Sequence, residues 1–312
     1  MHRPAAQVEP AAELLARLLA CPRCRAALAV EPGACRCTGC AARFPIERGV
    51  PRLADDAVAR DPRIAAEHEA QRHARDLYLE ERSVANRWGE IVLPGMARRV
   101  AGAGGPVLDL GCSVGQLGVA WAAMGAPAPL VGLDLQGELL ELAQAGYAAR
   151  VEGDLHRLPF RDASVAAVVC TNTLHHVADP DRAAAEIARV LVPGGVLCAC
   201  DPRHLAPIEL AKRILRRHDD AFAEDHRAFR REDYRAILVR AGLEVEECGA
   251  TFALGPLVAA GLDLVHFGVT GLARPVARGL CAADRLIARI VPTGRLGLIV
   301  LAVARRPRGP AA

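Results

Sequence analysis

Between residues 106 and 200, short apolar runs alternate with stretches in which apolar positions recur at helical spacing. Val107–Leu110, Leu130–Leu133, Val165–Cys170 and Val196–Cys200 read as strands. Such β/α alternation predicts a parallel sheet with helices on both faces and ligands at the carboxyl ends of its strands. Further on, Arg231–Ala241 reads as a helix and Leu243–Cys248 as a sixth strand, with Leu296–Ala304 as a seventh.

The first strand breaks into small residues, Gly111-Cys112-Ser113-Val114-Gly115, before helical spacing resumes. A tight strand-to-helix turn favours glycine, which takes left-handed dihedrals cheaply and lets a ligand approach the backbone. Three chemistries compete for it. A dinucleotide site needs G-x-G-x-x-G, and the spacing here is wrong for that. Gly111-x-Ser113-x-Gly115 satisfies G-x-S-x-G, the nucleophile elbow of serine hydrolases. That elbow draws its oxyanion hole from an earlier strand, and no run of strands precedes residue 106.

The third reading extends over most of the chain. Asp109-x-Gly111-x-Ser113-x-Gly115 resembles the D-x-G-x-G-x-G loop of class I S-adenosylmethionine (SAM) methyltransferases, with serine at the middle glycine. Leu130-Val131-Gly132-Leu133-Asp134 follows, ending in an acid about 25 residues after Asp109. Then come Val151-Glu152-Gly153-Asp154-Leu155, Thr171-Asn172-Thr173-Leu174-His175-His176 and Leu191-Val192-Pro193-Gly194-Gly195, each in family order. The resemblance covers roughly residues 85–250, with the last strand further on. It implies an α/β, Rossmann-like seven-stranded sheet with flanking helices, whose last strand is antiparallel beside the fifth. It also implies a SAM site built from Asp109, Gly111, Cys112, Ser113 and Gly115, from Asp134 and Leu135 at the ribose, from Asp154 and Leu155 at the adenine, and from Asn172.

The N-terminal region carries a different pattern. Leu18-Leu19-Ala20-Cys21 looks like a lipoprotein cleavage site, but Glu9, Glu13 and Arg17 interrupt the apolar core a signal needs. An amphipathic helix and a cytoplasmic location are the expectation. Cys21-x2-Cys24 and Cys37-x2-Cys40 lie twelve residues apart, close to the spacing of a zinc ribbon, in which four thiolates close a structural site. Cys35 is the spare thiol. Phe44-Pro45-Ile46-Glu47-Arg48-Gly49-Val50-Pro51-Arg52-Leu53 is similar to the ending of short zinc ribbons fused to, or partnering, methyltransferases. Residues 1–54 are therefore expected to form a helix and zinc-ribbon module, 55–104 a helical linker or cap, and 105–312 the methyltransferase domain.

Two segments resist the pattern. His68-Glu69-x3-His73 misses the zincin spacing by one residue and reads as a solvated helix. Residues 251–295, where the family has a short hairpin, hold a long apolar stretch interrupted by Asp263 and His266. Stable membrane insertion is not expected of it. A helical insertion serving as an apolar lid, a homodimer contact or plain core packing is.

Composition narrows the acceptor. The net charge is +3, and Lys212 is the single lysine among 39 basic residues, so the arginines reflect a compositional bias rather than a nucleic-acid surface. Aromatics make up 4% of the chain, too few to favour RNA, which is read by stacking. The basic face Arg213, Arg216 and Arg217 is offset at once by Asp219, Asp220, Glu224 and Asp225. A small, partly apolar metabolite is the first expectation, in the manner of the ubiquinone- and menaquinone-pathway methyltransferases. An RNA base gripped by the ribbon is the second. His175 and His176 are the candidate bases, with Asp201 and His204 in reserve.

Overall fold

The computed structural model describes residues 10–54, 84–205, 228–251, 272–290 and 297–309, with isolated positions between 255 and 262. His68 and His73, the arginines at 213, 216 and 217, and Asp263 and His266 lie outside the described residues.

The ribbon region comprises helix α1 (Ala11–Leu18) and strands β1 (Leu28–Glu31), β2 (Ala34–Cys37), β3 (Arg43–Glu47) and β4 (Val50–Pro51). The four strands pair antiparallel in sequence order. The remaining elements are α2 (Val84–Val100), β5 (Val107–Leu110), α3 (Gln116–Ala123), β6 (Leu130–Asp134), α4 (Gly137–Leu142), β7 (Ala149–Glu152), β8 (Val165–Thr171), α5 (Pro180–Val190), β9 (Leu191–Pro202), α6 (Arg231–Arg240), β10 (Glu244–Thr251), α7 (Ala273–Ile290) and β11 (Ile299–Arg305). Their sheet has seven strands in the order β10-β11-β9-β8-β5-β6-β7, with β11 antiparallel to both neighbours as expected. From β5 the chain winds outward through β6 to β7 and then returns to β8 on the other side of β5. This reversal opens a crevice at the carboxyl ends of β5 and β8, where open α/β sheets bind ligands.

One segment departs from expectation. The strand expected over Val196–Cys200 runs from Leu191 to Pro202 and so takes in Val192-Pro193-Gly194-Gly195, with a register irregularity between Val165 and Ala167 on the partner strand. The cause is pairing beyond β11: Gly194 N–H donates to the Arg306 carbonyl at 2.8 Å, and Arg306 N–H to that of Gly195 at 3.0 Å.

Both faces of the sheet are covered. On one, Leu93, Met96, Ala97 and Val100 of α2 pack with Trp121 of α3 onto Val107, Ala167, Val169 and Cys198. Helix α7, from the 251–295 insertion, lies against α2, so this part of the insertion packs within the chain. The other face carries α5 and α6, and its core continues without a break into the ribbon: Leu14, Leu18, Leu19, Phe44 and Leu53 join Leu133, Val151, Leu158 and Phe160.

The ribbon also covers the sheet edge. Leu53 N–H donates to the Glu152 carbonyl at 3.0 Å, Ala20 N–H to that of Pro159 at 3.0 Å, and Arg161 N–H to that of Leu18 at 2.8 Å. An edge strand left bare would invite pairing with other chains, and here the protein's own ribbon occupies it. Among the described residues no helix is long and apolar enough to cross a membrane.

Candidate functional site

The turn after β5 takes the shape its sequence requires. Gly111 has φ +70°, and a Cβ on it would lie 2.3 Å from the Thr173 hydroxyl, which donates to the Leu110 carbonyl at 3.1 Å. Ser113 and Gly115 are also left-handed, at φ +47° and +86°. Serine at such a position costs about 1 kcal/mol relative to glycine. The conformation turns the Ser113 N–H onto Asp134 Oδ2 at 2.8 Å, while the Gln136 N–H meets Oδ1 at 2.9 Å. The loop after β5 is thus tied to the acid at the end of β6. Burial pushes the Asp134 carboxyl up, and those amides oppose it.

Asp109 lies beneath the loop. Burial, reinforced by the charge of Asp134, pushes its carboxyl up to about 7 despite a 2.5 Å bond from the Tyr147 hydroxyl. The Tyr147 ring lies in the space that side chains on Gly115, Gly118 and Gly132 would fill. No periodicity marks it as part of the site. Cys112 is buried, its N–H on the Leu133 carbonyl, and Leu135 is half-buried.

At the end of β7, Asp154 accepts from the backbone N–H of His156 at 2.9 Å and bonds its Nδ1 at 2.8 Å. Burial opposes ionisation there, but the His156 bonds hold the carboxyl below its usual range. Leu155 is buried behind it. Asp154 and His156 also line a cavity of ≈ 380 Å³ shared with Pro22, Arg23 and Phe44 of the ribbon.

The β8 end divides the remaining candidates. Asn172 is exposed and left-handed at φ +51°. The His175 and His176 rings lie 3.8 Å apart, yet His175 is buried and His176 exposed. His175 Nδ1 is 2.8 Å from Asp201 Oδ1, and the Tyr234 hydroxyl donates to Oδ2 at 2.7 Å. Asp201 is fully buried, so its carboxylate meets His175 and Tyr234 rather than the open crevice. The backbone of His204 pairs with Phe229. Tyr234, carried by α6, has no sequence signature connecting it to this site.

In the ribbon, the thiol sulfurs of Cys21, Cys24, Cys37 and Cys40 lie within 4.8 Å of one another. Cys35 is buried in the core, outside that cluster. The backbone N–H groups of Gly39 and Cys40 each point at Cys37 Sγ from 3.3 Å, and that of Arg23 at Cys21 Sγ from 3.4 Å. N–H groups directed at sulfur stabilise thiolates, so the donor set fits a tetrahedral zinc ion.

A family model described as a methyltransferase domain matches residues 108–199, the stretch from β5 into β9. That stretch is a methyltransferase domain. The ubiquinone biosynthesis O-methyltransferase of Xanthomonas oryzae pv. oryzae is 32% identical over 135 residues, covering 37% of this chain and 56% of that protein. The probable tRNA methyltransferase 9B of Homo sapiens is 34% identical over 97 residues, covering 30% and 20%. The chain thus spans little more than half of the longer-matched of these relatives and a fifth of the other. The crystal structure of the [4+2]-cyclase SpnF superimposes with a TM-score of 0.50 at 23% identity, over 70% of this chain and 81% of that one, a likeness of fold. In the methyltransferase domain the serine-elbow reading of Ser113 has no support: its amide serves Asp134, and the family match covers its loop.

Proposed function

We propose that the chain transfers the methyl group of SAM to a small, partly apolar metabolite at oxygen, nitrogen or carbon. The observation that carries this reading is the junction of the Gly111–Gly115 loop with Asp134, where two amides hold a carboxylate at the crevice. Asp109, Gly111, Cys112, Ser113 and Gly115 would hold the amino-acid end of the cofactor and Asp134 and Leu135 its ribose. Asp154 and Leu155 would hold its adenine, with Asn172 at the mouth. SAM supplies a sulfonium that is already a good leaving group, so the protein chiefly aligns the acceptor and excludes water. A hydroxyl acceptor also needs a base. His175 takes that role, its ring oriented by Asp201 Oδ1 at 2.8 Å from Nδ1. His176, exposed with its ring 3.8 Å from that of His175, is the second candidate.

Cys21, Cys24, Cys37 and Cys40 would bind zinc, a site with no open position and hence a structural one. RNA as acceptor is not favoured by the ribbon's surface. In the open groove of ≈ 930 Å³ beside α4, Arg48 and Arg52 are committed to Glu141 and Glu152.

The test is calorimetric titration of the zinc-replete protein with SAM and S-adenosylhomocysteine, repeated with Asp134→Ala. Micromolar binding that the variant loses is the expected result, followed by acceptor screening with apolar phenols, carboxylic acids and then RNA. A wild-type protein that binds neither ligand sinks the reading.

A further inference from the structure

Arg52 belongs to the ribbon, but its guanidinium lies on the methyltransferase domain. Its Nη1 donates to Glu152 at 2.9 Å and its Nη2 to Glu141 at 3.0 Å, and Nε lies 3.2 Å from a Glu47 carboxylate oxygen. The side chain is 14% exposed. Glu152 stands directly opposite Asp134 in the β6–β7 register. The guanidinium also rests on Gly137, the first residue of α4. A Cβ there would be 1.5 Å from Nη1 and 2.2 Å from the Glu152 carboxylate, so glycine is what permits the contact. The turn from Asp134 to Gly137 is therefore held from two sides: Ser113 and Gln136 amides on Asp134, and Arg52 beyond Gly137.

We infer that Arg52 is a positioning residue for the cofactor site, neutralising Glu152 so that Asp134 beside it stays ionised and aimed at the ribose hydroxyls. This rests on the reading of Asp134 as the ribose acceptor. Acids converge on the spot from every neighbouring element: Glu47 from β3, Asp134 from β6, Glu141 from α4 and Glu152 from β7. Of the other cations nearby, Arg48 shares Glu141 with Arg52 and Arg150 is directed onto the Leu140 carbonyl, and neither meets Glu152 among the described contacts. Burial already pushes the Glu152 carboxyl up; Arg52 opposes this, while Glu47 and Asp134 add to it. Without Arg52, two carboxylates at neighbouring strand ends face each other in a partly buried site, and one of them takes a proton at higher pH. A protonated or displaced Asp134 accepts ribose hydroxyls poorly.

Titrating the zinc-replete full chain with S-adenosylhomocysteine from about pH 6 to pH 8 tests this, using wild type, Arg52→Met, Glu152→Gln and the double variant. Zinc content and melting temperature are recorded for each. Arg52→Met should weaken binding about tenfold at neutral pH, with the loss of affinity on acidification moved to higher pH. Glu152→Gln in the same chain should restore most of it, which a purely structural contact would not do. A folded Arg52→Met that binds like wild type overturns the inference, and so does a double variant no better than Arg52→Met. Arg52→Lys covers an unstable Met variant: affinity within about threefold of wild type is expected, and a tenfold loss in a folded Lys variant overturns the electrostatic role. A wild type that does not bind overturns the methyltransferase reading and this inference with it, a result distinct from those above.

Discussion

The ribbon and the sheet domain solve the same problem by opposite means. The sheet buries β5, β6 and β8 almost completely between two layers of helices, so its apolar residues hold it. In the ribbon, β3 buries Phe44 and leaves Arg43, Pro45 and Glu47 outside. Small sheets of this kind rarely stabilise themselves, and this one combines four cysteines with borrowed core. Leu19, Phe44 and Leu53 complete their burial against Leu158 and Phe160 of the larger domain. Fusion of this kind teaches that the ribbon is more than an appended tag. It shares a core with the sheet, closes its β7 edge and reaches the Asp134–Gly137 turn through Arg52.

The most drastic way to break the comparison is to take away the metal. Zinc sites of this type bind with roughly 10 kcal/mol or more, and binding of that size is folding free energy for the segment that holds it. One zinc per chain is expected by elemental analysis, and Cys37→Ser or a strong chelator should remove it. The backbone amides of Ala20 and Leu53, which bond the sheet domain, should then exchange with solvent far faster while the central β5 and β8 amides stay protected. If Ala20 and Leu53 keep their protection without zinc, packing against Phe160 rather than the thiolates holds the ribbon.

A second experiment turns to the sheet, where the buried groups that matter are acids. The folded state raises Asp109 from 3.8 to about 7, so it favours the protonated form. The resulting contribution is fully present below about pH 4 and is lost as pH rises through 7, a difference of about 4 kcal/mol across that window. Asp109→Asn, which can still accept from Tyr147, should remove this pH dependence. Urea unfolding of both proteins at about pH 5 and pH 8 should therefore show the variant gaining on wild type at the higher pH. Parallel pH profiles would mean that Asp109 is ionised in the fold and that the Tyr147 bond outweighs burial.

These contrasts also explain what the amino-acid order revealed. The loop from Asp109 to Gly115 and the paired C-x2-C knuckles are local, and their chemistry is written in a few adjacent residues. The seven-stranded sheet followed from the resemblance, down to the antiparallel β11 beside β9. The early start of β9 at Leu191 did not, because it rests on pairing of Gly194 and Gly195 with Arg306, far along the chain. The unreadable parts are long-range. Tyr147 reaches Asp109 across 38 residues, Tyr234 reaches Asp201 across 33, and Arg52 reaches Glu152 across 100. Each of these residues has an unremarkable pattern of its own, either a core aromatic or a surface charge, and only the tertiary fold pairs it with its acid.

The smallest expected effect bears on the one loop position where the sequence departs from the family pattern. Ser113 is left-handed at φ +47°, and its N–H is the group that holds Asp134. Glycine takes the same dihedrals without the Cβ penalty of about 1 kcal/mol, so Ser113→Gly should stabilise the loop in the shape the site needs. Binding of S-adenosylhomocysteine should then tighten about fivefold, provided the strain is relieved mainly in the bound form. A gain in melting temperature without any gain in affinity would mean that the free protein already holds the loop in place. Weaker binding would reverse the assignment, making the serine hydroxyl a ligand contact whose loss costs more than the strain it imposes.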